Sequence, residues 1–236
     1  MSNVDEAAVA TYPALAVEEE RSFLTRVMGW MFAGLLVTGV IAWAVGTSDR
    51  AATWVSDHPY VFFGLLIAEL GAVAGLAALI GKMSPAVAGG VFLLYAAMNG
   101  VTFSLIFVVY TTASIFTTFL VTSAMFGALA VLGYTTKRDL SAIGSIAFMA
   151  LFGLIAATLV NLFWANDTLY WVTTYAGVGI FSALTAYDMQ KIKQLNVAGD
   201  AGTDADRREA ILGALALYLD FVNLFLYLLR IFGRRR

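Results

Sequence analysis

The chain alternates between long apolar stretches and short polar clusters. Seven stretches of about 20 residues carry almost no charge: 27–47, 60–81, 85–109, 114–134, 141–164, 169–188 and 210–232. About 20 residues of helix cross a ~30 Å hydrocarbon core. Lipid offers the backbone no hydrogen bonds, so a spanning segment folds either as a helix or within a closed barrel. Barrel strands alternate apolar and polar positions, whereas these stretches are continuously apolar. The pattern therefore predicts seven transmembrane helices. Pro59 opens the second, and Ser84–Pro85 separates the second from the third.

The polar clusters set the remaining organisation. Residues 1–26 are expected to form a mobile N-terminal tail, 27–233 a single transmembrane domain, and 234–236 a basic C-terminal tail. The first apolar run lacks a small-residue cleavage site and is taken as a retained span. The stretch 189–209 is expected to be the longest linker. It is no EF-hand loop, because counting from Asp200 puts Gly202 at position 3 and Ile211 at position 12. With the N-terminus inside, the inner segments hold nine basic residues and the outer segments five. Seven spans then place the C-terminus outside, against the preference of Arg234, Arg235 and Arg236.

Composition narrows the class. Hydrophobic residues make up 61% and charged residues 13%, against about 45–50% and ~25% in soluble domains. A net charge of −2 argues against nucleic acid as a partner. Zero cysteines and one histidine exclude disulfide scaffolds and most zinc, iron–sulfur and haem sites. No bound cofactor is expected, and the partner is a lipid bilayer. His58 precedes Pro59 at a helix start and is taken as an interfacial loop residue.

Candidate chemistry lies in the few acids inside apolar stretches. A charge at the bilayer centre costs ~2.5–3.5 kcal/mol, so such residues face protein or a wet cavity. Glu69 sits near the middle of helix 2. Asp188 ends helix 6, and Asp220 lies about ten residues into helix 7, on a face with Gly213, Ala216, Asn223 and Tyr227. Helix 3 adds Tyr95, Asn99 and Thr102. The bland alternatives are a hydrogen-bonded neutral Glu69, an interfacial Asp188 beside Lys191, and ordinary interhelical hydrogen bonds in helix 3. Helices 6 and 7 are antiparallel, so Asp188 and Asp220 can meet, and two such carboxylates share a proton. Glu69, Asp188 and Asp220 are too scattered for a tight calcium cage of six to eight oxygens. They suit weak transit sites instead.

Four stretches carry a resemblance: AAMNGVTFSLIFVVYTTASIF at 96–116, FGALAVLGYTTKRDLSAIG at 126–144, ALTAYDMQKIK at 183–193 and LYLDFVNLFLYLLRIFG at 217–233. In this order they resemble the Bax inhibitor-1 family, the transmembrane Bax-inhibitor-motif proteins, from helix 1 to the end of helix 7. The resemblance implies an all-α integral membrane protein with helix 7 central and surrounded by helices 1–6. It also implies a pH-dependent calcium leak. The paired aspartate sensor of the family maps onto Asp188 and Asp220, and the ion-path glutamate onto Glu69. Apart from the resemblance, Asn99 and Asn223 are further ion-path candidates as polar residues within apolar spans. Relatives with an arginine between helices 2 and 3 pair it with the aspartates; here only Lys82 is available as a latch partner, a point charge rather than a fork. The linker between the two aspartate motifs is long for the family. A bacterial plasma membrane is the expected location.

Two other functions compete. One is a non-conducting regulator acting through membrane-protein partners. The other is an intramembrane aspartyl protease, which requires Gly-x-Gly-Asp where Leu217, Tyr218 and Leu219 precede Asp220. A retinal protein is excluded because 210–232 has no Schiff-base lysine.

Overall fold

The structure is a computed structural model that describes residues 3–48, 57–195 and 202–236, with side chains described from Glu18 onward except at 59 and 62. Gly199 and Asp200 of the expected linker lie outside the described residues. The long helices are α1 (Asn3–Gly46), α2 (Pro59–Leu79), α3 (Pro85–Phe103), α4 (Thr112–Thr135), α5 (Ser141–Trp164), α6 (Asp167–Leu195) and α7 (Asp204–Phe232). A 3-10 turn at Ile80–Lys82 follows α2, and a short helical turn at Ile106–Val109 follows α3.

Local chemistry fixes several boundaries. Ser84 caps α3 by accepting the Val87 N–H at 3.3 Å, with Pro85 in the first turn. Thr111 accepts from Ser114 N at 3.4 Å to start α4, and Thr203 accepts from Asp206 N at 3.2 Å to start α7.

Two expected boundaries move. Helix α1 begins at Asn3 rather than near residue 27, and Phe23 is fully buried in the core. The expected linker 189–209 is mostly helix, since α6 continues to Leu195 and α7 starts at Asp204. Lys191, Lys193, Arg207 and Arg208 ride on helical turns beyond the apolar segments, where charge costs little.

Six of the seven helices contain an apolar window long enough to cross a membrane: those within α1 to α5 and α7. Helix α6 has the length, at 29 residues, but not the composition. Thr173, Thr174, Thr185 and Gly177 are turned toward protein, whereas Thr168 and Gly179 are exposed. Thr174 and Thr185 are fully buried, and α6 packs along α4, α5 and α7. Polar side chains shielded by neighbouring helices escape the cost of meeting lipid. Close approach is part of this packing. A Cβ on Gly133 of α4 would strike the backbone carbonyl of Ala186, and one on Gly177 would lie 2.6 Å from the Tyr227 ring of α7.

Helix α7 is the most buried, with 67% of its apolar window covered, against 11% for α2 and 17% for α5. It packs on α1, α3, α4 and α6. Helix α2 packs chiefly on α3, and α5 on α6. The expected ring of six helices around α7 is therefore four direct neighbours and two peripheral helices. The peripheral pair presents lipid-facing side chains such as Ile67, Leu70, Leu162 and Phe163, each more than 70% exposed.

The C-terminal arginines are not a free tail. Thr111 N donates to Arg234 O and Arg236 N to Val109 O, both at 3.0 Å, with a bridge between Tyr110 and Arg235. Arg230 lies over the Tyr227 and Tyr170 rings at 4.9 and 5.6 Å. The last residues are stapled across one end of the bundle.

Candidate functional site

Helix α7 carries polar groups toward two different sets of neighbours. Toward α1, α2 and α3 lies a hydrogen-bonded cluster. Tyr218 is fully buried, and its hydroxyl is 2.6 Å from Thr38 Oγ1 of α1. Thr38 Oγ1 also donates to the Ala96 carbonyl of α3 at 2.8 Å, so the tyrosine hydroxyl is the donor to it. The Tyr218 ring meets Phe92 and Tyr95 edge-on, each at 5.7 Å. Asn99 Nδ2 donates to the Tyr95 hydroxyl at 2.9 Å, and Asn99 Oδ1 is buried without a partner among the described residues. Glu69 of α2, 9% exposed, accepts the Thr102 hydroxyl of α3 at 2.6 Å. Its charge acts on Tyr95 and Tyr218. Glu69, Asn99, Tyr95 and Thr102 thus belong to one neighbourhood, joined by Tyr218 and Thr38.

Toward α6 lies Asp220. It is 4% exposed, and its Oδ2 has no hydrogen-bond partner among the described residues. The acid whose charge acts on it is Asp188 of α6. The antiparallel register brings them to one level: Ile192 packs on Gly213, and Phe181 stacks on Tyr227 at 5.9 Å. Asp188 in turn feels the cation Lys191, three residues along its own helix. Lys82 is exposed at the end of the 3-10 turn, and no hydrogen bond or ion pair joins it to either aspartate. Asn223 spends its amide on the Leu219 carbonyl of its own helix, at 2.8 Å.

Glu69 and the two aspartates therefore occupy separate neighbourhoods on either side of α7. Among the described residues no group of three or more histidines, cysteines or acids gathers to hold a metal ion.

The structure also reveals an anchor. Asp206, 5% exposed, accepts Arg26 Nη2 of α1 at 3.0 and 2.7 Å and the Gly202 N–H at 2.9 Å. Nearby, Arg208 Nη1 donates to the Met83 carbonyl at 3.3 Å. The partners Arg26 and Asp206 are 180 positions apart and sit in charge-rich segments, where composition gives no sign of pairing.

These features define a polytopic helical membrane protein with ionisable groups buried inside its bundle. The family model described as "Inhibitor of apoptosis-promoting Bax1" matches residues 20–236. The chain is 48% identical over 217 residues to the inner membrane protein YbhL of Escherichia coli K12, covering 92% of this chain and 93% of that one. It is 40% identical to an uncharacterized protein of Borreliella burgdorferi, covering 92% and 94%, and 39% identical to one of Deinococcus radiodurans, covering 93% of each. The chain belongs to the Bax inhibitor family of membrane proteins.

Proposed function

We propose that the chain is a pH-sensitive cation leak of the bacterial inner membrane, with calcium as the transported ion. The observation that carries this reading is Asp220. It is a carboxyl buried inside the bundle, with one oxygen unpartnered among the described residues and with the charge of Asp188 acting on it from the next helix. A purely structural carboxylate is expected to be saturated with donors. Two carboxyls facing each other with no bonded cation respond to protons instead. Proton gain relieves repulsion between α6 and α7, and those are the helices whose spacing it changes. Glu69 supplies the second element, a cation-attracting group on the opposite side of α7. Passage needs no permanent cage, because an ion that leaks must also leave. No enzymatic role is proposed.

The test is calcium entry into liposomes holding the full chain, scanned over pH. The expected flux rises as pH falls. Asp188→Asn and Asp220→Asn each flatten that profile, because the amide no longer titrates. Glu69→Gln lowers flux at every pH and leaves the midpoint in place. A flux equal to that of empty vesicles at all pH values ends the reading. Unchanged profiles in both aspartate variants remove the pair as its sensor.

A further inference from the structure

At the end of the bundle that carries most of the basic residues, a cleft of about 300 Å³ lies between the C-terminal ends of α4 and α6 and the connection from α4 to α5. Three cations line it, Lys137, Arg138 and Lys193, against one acid, Asp139. Asp139 is already engaged, its Oδ1 accepting the Ser141 N–H at 2.9 Å. Lys193 donates to the Tyr134 carbonyl at 3.1 Å, lies 4.4 Å from the Tyr134 ring centre, and is 4.0 Å from Glu20 Oε1. The side chains of Lys137 and Arg138 are exposed and have no hydrogen bond or ion pair among the described residues.

The connection that presents these two cations is held from below. Gln190 is buried, at 7% exposure; its Oε1 accepts Leu140 N at 2.8 Å and its Nε2 donates to the Arg138 carbonyl at 2.9 Å. Arg138 N is in turn bonded to Thr136 Oγ1 at 3.3 Å. A preference for basic residues on the inner face needs only charge. It does not need a recess, nor a buried amide that holds the backbone immediately after the two cations. A guanidinium and an ammonium on consecutive residues of one cleft wall suit an anion with several acceptor oxygens.

We propose that this cleft binds the phosphate group of an anionic ligand, with Lys137 and Arg138 as its contacts and Gln190 as the positioning residue. The two sources of that chemistry are an anionic phospholipid headgroup and free phosphate. The proposal goes beyond the leak reading and does not rest on it, because its readout is binding.

The full chain is released from neutral detergent micelles into a mass spectrometer after titration with phosphatidylglycerol or phosphatidylcholine. Inorganic phosphate is added in a parallel series at matched ionic strength. Phosphatidylglycerol is expected to be retained in preference to phosphatidylcholine and displaced by phosphate. Lys137→Gln with Arg138→Gln is expected to weaken retention about thirtyfold, the loss of two basic contacts. Gln190→Leu changes no charge and is expected to weaken it as well. The control Lys82→Gln with Arg207→Gln removes two exposed cations outside the cleft and is expected to leave retention unchanged. Binding of phosphate by the wild type without lipid preference, lost in the Lys137/Arg138 variant, assigns the site to the soluble source. The proposal is overturned if neither ligand binds in preference to phosphatidylcholine, if the Lys137/Arg138 variant binds as the wild type does, or if the control loses as much.

Discussion

Asp206 and Asp220 lie on the same helix, fourteen positions and so about 21 Å apart. They are almost equally buried, at 5% and 4% exposure. Their surroundings are opposite. Asp206 accepts bonds from a guanidinium and a backbone N–H. Asp220 feels the charge of Asp188, and its Oδ2 has no hydrogen-bond partner among the described residues. Burial alone does not say what a carboxylate is for; the count of donors around it does. The first is an anchor between α1 and α7, and the second is a group held in an unfavourable setting by its neighbours.

The comparison breaks most readily at Asp206. Removing one partner of a buried ion pair leaves the other charge stranded. The Arg26 side chain is 30% exposed, so solvent screens part of the loss. Arg26→Ala is expected to cost about 2–3 kcal/mol, read as a lower unfolding temperature of the detergent-solubilised chain. Asp220→Leu is expected to act in the other direction, gaining about 1–2 kcal/mol, because a side chain without a bonded cation gives way to one of similar volume that fits an apolar site. If both changes lower stability alike, the contrast between anchor and sensor is wrong.

Tyr218 sharpens it. Two residues from Asp220, it is as buried as any side chain here, yet its hydroxyl has a partner in Thr38. Tyr218→Phe keeps the ring packing against Phe92 and Tyr95 and removes one buried bond, so about 1 kcal/mol is expected to be lost. The pH midpoint of calcium flux is expected to stay in place. A shifted midpoint would tie the two faces of α7 together.

Much of the frame was legible along the chain because lipid imposes a length and a composition on each span. The bounds of α5 come out as expected, at 141–164. Helix α6 was legible as a helix but not as a shielded one, since the neighbours that cover Thr174 and Thr185 come from α4, α5 and α7. Glu69, Asp188 and Asp220 stood out because a charge in an apolar run is conspicuous. Asp206 did not, because it sits among Asp204, Arg207 and Arg208, where an acid looks like a solvated residue. Its partner lies at the other end of the sequence. Lys82 stood out as the lone cation between two spans, but isolation along the chain does not bring a side chain to the aspartates.

Asp139 supplies the third corner of the comparison and the smallest expected effect. It is fully exposed, yet bonded, with the Ser141 hydroxyl and backbone N–H holding its carboxyl below the usual carboxylate range. A carboxyl whose folded value is depressed stabilises above its unfolded value and loses that contribution as pH falls through the folded one. Asp139→Ala is therefore expected to speed amide exchange in the first turn of α5 at neutral pH. The difference from the wild type disappears on acidification below the carboxylate range. The unfolding temperature of the whole chain stays where it was, since water replaces what the side chain gave. Asp139→Asn keeps an acceptor without the charge, so its exchange falls between the two and does not respond to acid. An Asp139→Ala variant that unfolds as early as Arg26→Ala would mean that bonding, not burial, sets the scale, and Asp206 would then owe its weight to its partners alone.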